Sequence, residues 1–167
     1  MTIEAINALS AADFIARFGF LFEHSPWIVR EAEKRRPFAH IVAMEDAMAA
    51  IVAEASHVDQ LKLLRAHPEL ASKAAIDKTL TEASNAEQAS AGLDRLSQEE
   101  FDLFHDLNRR YRDRFGFPFI ICVRLTNKAG ILASMETRLA NSEAEEIATA
   151  LGEIGKIVHL RLQDAMA

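Results

Sequence analysis

Glycine and proline are scarce: 6 and 4 among 167 residues, about half the usual combined share of roughly 12%. So few turn residues point to long helices. A single cysteine, Cys122, excludes a disulfide framework within the chain and any cysteine-based zinc cluster, and it fits a reducing compartment. Basic residues are outnumbered, 19 against 25 acidic, for a net charge of −6. No basic stripe is left to displace counterions from a phosphate backbone, which makes nucleic acid a poor partner. No apolar run approaches the ~18 residues of a membrane span, and Met1 to Ser10 lacks the basic flank of a signal peptide. Ala165-Met166-Ala167 is not a peroxisomal tripeptide. The expectation is a cytoplasmic protein with no membrane partner. Internal repeats, low-complexity tracts and linkers are also missing, so a single domain over residues 1–167 is expected, large enough to bury a core unaided.

What the chain has in quantity is helix signal. Half of it is hydrophobic, and a serine with an acid three positions later recurs, the spacing that ties up orphan N–H groups at a helix start. Ser10 with Asp13, Ser56 with Asp59, Ser84 with Glu87, Ser97 with Glu100 and Ser142 with Glu145 all qualify. Ser25 before Pro26 adds a sixth start, since proline at the first helical position loses no hydrogen bond, and Pro37 ends that helix. Between Ala39 and Ala55, Ile41, Met44, Met48, Ile51 and Val52 recur at helical steps. From Gln98 to Arg114 the stripe is Phe101, Phe104, Asn108, Tyr111 and Phe115, closed by Gly116 as a C-cap. The last helices are expected over Lys128 to Ala140 and Glu143 to Asp164. The fold expected is all-α, a compact domain of about eight helices.

One stretch departs from this pattern. Phe117-Pro118-Phe119-Ile120-Ile121-Cys122-Val123 is rich in β-branched and aromatic residues, yet no second strand exists to pair with it. It reads as a buried extended connector whose backbone groups need partners, and such a segment is a natural wall for a small polar ligand.

Three places carry chemistry. The last helix sets Ile147, Leu151, Ile154 and Val158 on one stripe, and the same face arrives at Arg161. A guanidinium there must be paired, either with a neighbouring acid or with a ligand carboxylate. His67 precedes Pro68, which disfavours helical geometry for the histidine and so displays its ring at a helix end, either as a cap or as a general acid or base. Glu87 and Gln88 follow Ser84 at capping-box spacing. Read alone they are a cap, although the free N–H groups of a helix N-terminus also favour anionic ligands. Metal signals are incomplete. Glu54-x-x-His57 is one copy of a di-iron spacing that needs two, and His67-x-Glu69 lacks the paired cysteines of zinc deaminases. No metal is expected. A Gly-x-Ser-x-Gly elbow and a phosphate-binding glycine loop are absent as well.

Taken together, certain segments resemble the 2-oxo-4-hydroxy-4-carboxy-5-ureidoimidazoline (OHCU) decarboxylase family. They are Phe22-Glu23-His24-Ser25-Pro26-Trp27, Leu63-Leu64-Arg65-Ala66-His67-Pro68-Glu69-Leu70, Ser84-Asn85-Ala86-Glu87-Gln88 running on to Asp94, Phe115 to Arg124, Arg138-Leu139-Ala140-Asn141 and Leu160-Arg161-Leu162. The resemblance implies an all-helical, cofactor-free, homodimeric carbon–carbon lyase that acts on OHCU in uric acid degradation and yields (S)-allantoin. It implies His67 as catalytic acid/base assisted by Glu87. Ligand contacts would come from Pro68, from Ser84, Asn85, Ala86, Glu87 and Gln88, from Phe119, Ile120, Ile121, Cys122 and Val123, and from Arg161. Family members often carry glycine where Ser72 stands. The alternative is a non-catalytic helical ligand-binding or interaction module, which would have no reason to combine His67, Glu87 and Arg161.

Overall fold

Serine caps start four of the helices at the positions their spacing indicates. Ser10 Oγ accepts from the Asp13 N–H and Ser56 Oγ from the Asp59 N–H, both at 3.1 Å. Ser97 and Glu100 form a reciprocal capping box, as do Ser142 and Glu145. The computed structural model, which describes residues 1–167, contains ten α-helices. They are α1 Ile3–Asn7, α2 Ala11–Phe18, α3 Trp27–Glu33, α4 Ile41–Glu54, α5 His57–Ala66, α6 Lys73–Ile76, α7 Glu82–Ser90, α8 Gln98–Phe115, α9 Lys128–Arg138 and α10 Glu143–Met166. Short 3-10 turns lie at Gly19–Leu21 and Val123–Leu125. The all-α expectation holds. The count exceeds eight because α1 and α6, of five and four residues, are too short to display a stripe.

Two starts differ from their sequence reading. α7 begins before Ser84, with Thr81 Oγ1 accepting from the Ser84 N–H at 3.3 Å. The earlier start puts Ser84 and Gln88, four residues apart, on one buried face. At α3 the cap is Pro26 itself, which has no side chain to donate or accept. Its carbonyl takes the Arg30 N–H at 3.0 Å, so the helix starts one residue later than Ser25-Pro26 suggests.

The chain forms two compact units, Met1–Ala66 with Gly155–Ala167, and His67–Ile154. In the first, α3 packs against α2 and α4, and the buried set includes Phe14, Phe18, Ile28, Met44 and Met48. Phe14 lies 5.1 Å from Phe18 between ring centroids, and Asn7 clasps both backbone groups of Phe38 at 2.8 Å. In the second, α8 packs against α9, and α7 against the turn at Val123–Leu125. α8 buries Phe104, Leu107, Asn108, Tyr111 and Phe115, close to the predicted stripe, and ends at Gly116 with a left-handed φ of 78° that favours glycine. Ser72, by contrast, needs no glycine: its φ is −70° and its Oγ caps α6 by accepting from the Ala75 N–H. No helix is long and apolar enough to cross a membrane.

Candidate active site

His67 follows directly on the last residue of α5 and is half-buried, where Pro68 requires the helix to stop. The chain then turns through Glu69, Leu70 and Ala71, and side chains hold this turn. Gln88 Nε2 donates to Glu69 O at 3.2 Å while Gln88 Oε1 accepts from the Ala71 N–H at 3.0 Å. Asn108 Nδ2 donates to Leu70 O at 2.8 Å. The Glu69 carboxylate pairs with Arg112.

α7 supplies the next residues, sorted by its own geometry. Ser84 and Gln88 face inward, Glu87 is half-buried, and Ala86 is exposed. Asn85 points back to the preceding loop, donating to Lys78 O and Leu80 O at 3.0 and 3.1 Å. Glu87 lies in the sixth position of the helix rather than in its first turn, so it is no part of a capping box. The free N–H groups of the helix start belong to the residues around Glu82. The strongest purely structural explanation of Glu87 therefore falls away.

The segment 117–122 has no secondary structure and is buried except at Ile121, which is part exposed; Val123, expected to continue it, instead opens the 3-10 turn Val123–Leu125. Its backbone finds side-chain partners, as the lack of a second strand demanded. Arg138 Nη1 donates to Ile120 O at 2.7 Å, and the Cys122 N–H donates to Glu153 Oε2 at 3.3 Å. The Phe119 ring is anchored in the interior, edge-on to Tyr111 with centroids 5.3 Å apart and beneath the Arg138 guanidinium at 4.2 Å. Arg138 in turn donates to Glu146, which also accepts from the Tyr111 hydroxyl at 2.7 Å and from Asn141 at 3.0 Å. Burial, reinforced by the Glu146 charge, pushes the Tyr111 phenol well above its ordinary pKa.

The two walls meet where α7 packs against the turn at Val123–Leu125, next to Cys122. Burial raises its thiol above the usual range, and the carboxylates of Glu153 and Glu87 push in the same direction. Glu153 on α10 thus holds the extended segment through the Cys122 N–H, and α7, which carries Glu87, packs against the turn that follows it. Sequence reasoning missed Glu153, although Glu146 and Glu153, seven residues apart, share a face of α10. It also gave Arg138 no role, although that residue pins the wall.

The second unit therefore contains His67, Pro68, the 84–88 helix and the 119–123 segment. Arg161 belongs to the first unit and is 3% exposed. Its guanidinium donates to Glu23 Oε1 at 2.9 Å and to the carbonyls of Phe20 and Leu21 at 3.0 and 3.4 Å. Its charge thus has a buried protein partner, the first of the two pairings its place on the stripe allowed.

One all-helical unit thus holds a half-buried histidine on a braced turn, a helix glutamate and a buried extended wall, residue types suited to acid–base chemistry on a small ligand. The profile of the OHCU decarboxylase family matches residues 7–163, across both units, and the chain belongs to that family. It is 43% identical to the 2-oxo-4-hydroxy-4-carboxy-5-ureidoimidazoline decarboxylase of Haloferax volcanii, covering 98% of this chain and 95% of that one. The mouse protein of the same name is 35% identical, over 99% and 93% of the two chains. A uric acid degradation bifunctional protein of a Bacillus species is 38% identical over 98% of this chain, which matches 32% of that longer protein. Among solved structures, an (S)-allantoin synthase superposes with a TM-score of 0.79 at 28% identity, covering 99% of this chain and 54% of that one. An OHCU decarboxylase crystallised in the presence of (S)-allantoin shares the fold, with a TM-score of 0.72 at 21% identity over 89% and 96% of the chains.

Proposed function

We propose that the site performs the family's reaction, decarboxylation of OHCU to (S)-allantoin, with His67 as acid/base and Glu87 as its assistant. As a carbon–carbon lyase of uric acid degradation the chain has a substrate that explains its small size. Decarboxylation needs somewhere to place the electron pair left when the carboxylate departs as CO2, and many enzymes import that sink as a cofactor. In OHCU the carbon bearing carboxylate and hydroxyl adjoins a ring C=N. The pair moves into a new C=C bond while the ring nitrogen is protonated. The hydroxyl then gives up its proton as it becomes a carbonyl, and the neighbouring carbon takes a proton on one face. The protein has to orient the ring and handle these protons.

In this reading His67 serves the proton transfers at the hydroxyl and the carbon, and Glu87 holds the hydroxyl or a ring N–H. Backbone groups of Phe119 to Val123, the Pro68 turn and the 84–88 helix line the ring, and Arg161 binds the ureido arm or carboxylate. The observation that carries it is Glu87, half-buried in mid-helix and outside any cap, on the helix that packs against the Val123–Leu125 turn at the end of the extended wall. The same reading makes the protein a cytoplasmic homodimer that needs neither cofactor nor metal.

The test generates OHCU in place with uricase and the upstream hydrolase, adds the protein after exhaustive EDTA treatment, and follows (S)-allantoin by circular dichroism. Rapid appearance of the S enantiomer is expected. Racemic product at the rate of the protein-free control would overturn the reading, and loss of activity on chelation with recovery on added metal would overturn its metal independence.

A further inference from the structure

The buried face of α8 is apolar, with one exception. Phe104, Leu107, Tyr111 and Phe115 share it with Asn108, which is 5% exposed. A buried amide is a cost unless hydrogen-bonded, and a leucine, branched at the same carbon, would avoid that cost. Asn108 is satisfied on one side only: its Nδ2 donates to Leu70 O, while its Oδ1 is buried without a hydrogen-bond partner. What the position uses is the donor.

Leu70 O lies between two other main-chain groups gripped by a side chain, Glu69 O and Ala71 N–H, both of which Gln88 holds. Arg112, one turn along α8 from Asn108, takes the Glu69 carboxylate. Ala71 has a φ of 54°, a left-handed conformation that a non-glycine residue holds only where its surroundings fix it. Two to four residues upstream of these grips stands His67. We propose that Asn108, seconded by Arg112, is a positioning residue for His67, locking the 69–71 turn and with it the direction in which the imidazole is presented. A general acid works only within hydrogen-bond reach of its proton's partner, so a turn that drifts by an ångström disables a histidine that is still present.

The proposal rests on the reading of His67 as acid/base, and a double-mutant cycle separates the two. Asn108→Leu is expected to lower kcat about tenfold or more with KM within threefold, at a temperature where circular dichroism shows it folded. Arg112→Gln, at the exposed end of the same face, is expected to lower kcat two- to fivefold without moving KM. Added to His67→Asn, Asn108→Leu is expected to cost less than twofold further, because residues acting through one another are not additive. Wild-type kcat in Asn108→Leu, a rise in KM alone, or losses that multiply in the double variant would each overturn the proposal. Near-normal turnover in His67→Asn by itself would sink the acid/base reading instead. Should Asn108→Leu fail to fold, Arg112→Gln decides, with a kcat loss at constant KM supporting the proposal and an unchanged kcat overturning it.

Discussion

Each unit buries one arginine–glutamate pair, and both arginines also hold backbone carbonyls, Arg161 those of Phe20 and Leu21 at the 3-10 turn and Arg138 that of Ile120 in the extended wall. In the first unit Arg161 and Glu23 sit in an interior whose buried polar residues also include Ser25. In the second, Arg138 and Glu146 belong to a polar interior that also contains Ser84, Gln88 and Asn108. There the polar groups are placed where chain without secondary structure must be held. Arg138 pins the extended wall through Ile120 O, and Asn108 with Gln88 pins the turn after His67. Both units therefore use polar side chains to fix irregular backbone, and the second, which carries the proposed chemistry, devotes more of its buried polar residues to this, because neither the wall nor the turn can satisfy its N–H and C=O groups within a helix or sheet.

The sharpest way to break that contrast is Glu146→Leu. It strands the Arg138 charge and should cost about 3–5 kcal/mol of stability, read as a shift in denaturant midpoint. A loss under about 1 kcal/mol would show that the wall is not held by this network. Arg161→Ala probes the other pair and should cost a similar amount, about 3–5 kcal/mol, by stranding Glu23. Measuring (S)-allantoin affinity on the same variant tells whether Arg161 also binds ligand. Intact affinity beside the stability loss would remove it from the site. Thr81→Ala should cost about 1 kcal/mol as the true cap of α7, whereas a Ser84→Ala variant losing the same through fraying of the α7 start would restore the capping box that the structure denies.

The smallest effect is at high pH. The Cys122 thiol and the Tyr111 phenol are both raised by burial above their ordinary values of 9.0 and 10.0, so the folded state binds their protons more tightly than the unfolded state. The stability they contribute is fully present below those values and is lost as pH rises beyond them. Wild-type denaturant midpoints should therefore fall above pH 9, and the fall should be shallower in Cys122→Ala. Identical slopes would remove Cys122 as a contributor.

Much of this was legible in the sequence, and the rest was hidden for physical reasons. Serine caps, apolar stripes and Gly116 announce the helices because capping and amphipathic spacing are local. The stretch from Phe117 to Cys122 was readable as a buried extended connector, though not the 3-10 turn that begins at Val123. What spacing could not reveal is which side chains reach across to it: Arg138 and Glu153 find their carbonyl and N–H 18 and 31 residues away. Ser84 misled because serine three residues before glutamate fits a cap equally well when threonine has already started the helix a turn earlier. Arg161 was recognisable as a guanidinium that must be paired, but nothing near it in sequence names Glu23, 138 residues away.

The most direct test of the account is the turnover of His67→Asn on OHCU beside its melting midpoint. The histidine follows α5 at the turn and is half-buried, so its removal should leave the midpoint nearly unchanged while lowering turnover by at least about 100-fold, the usual consequence of losing a general acid or base. A folded His67→Asn protein that still makes (S)-allantoin at a near-normal rate would contradict it.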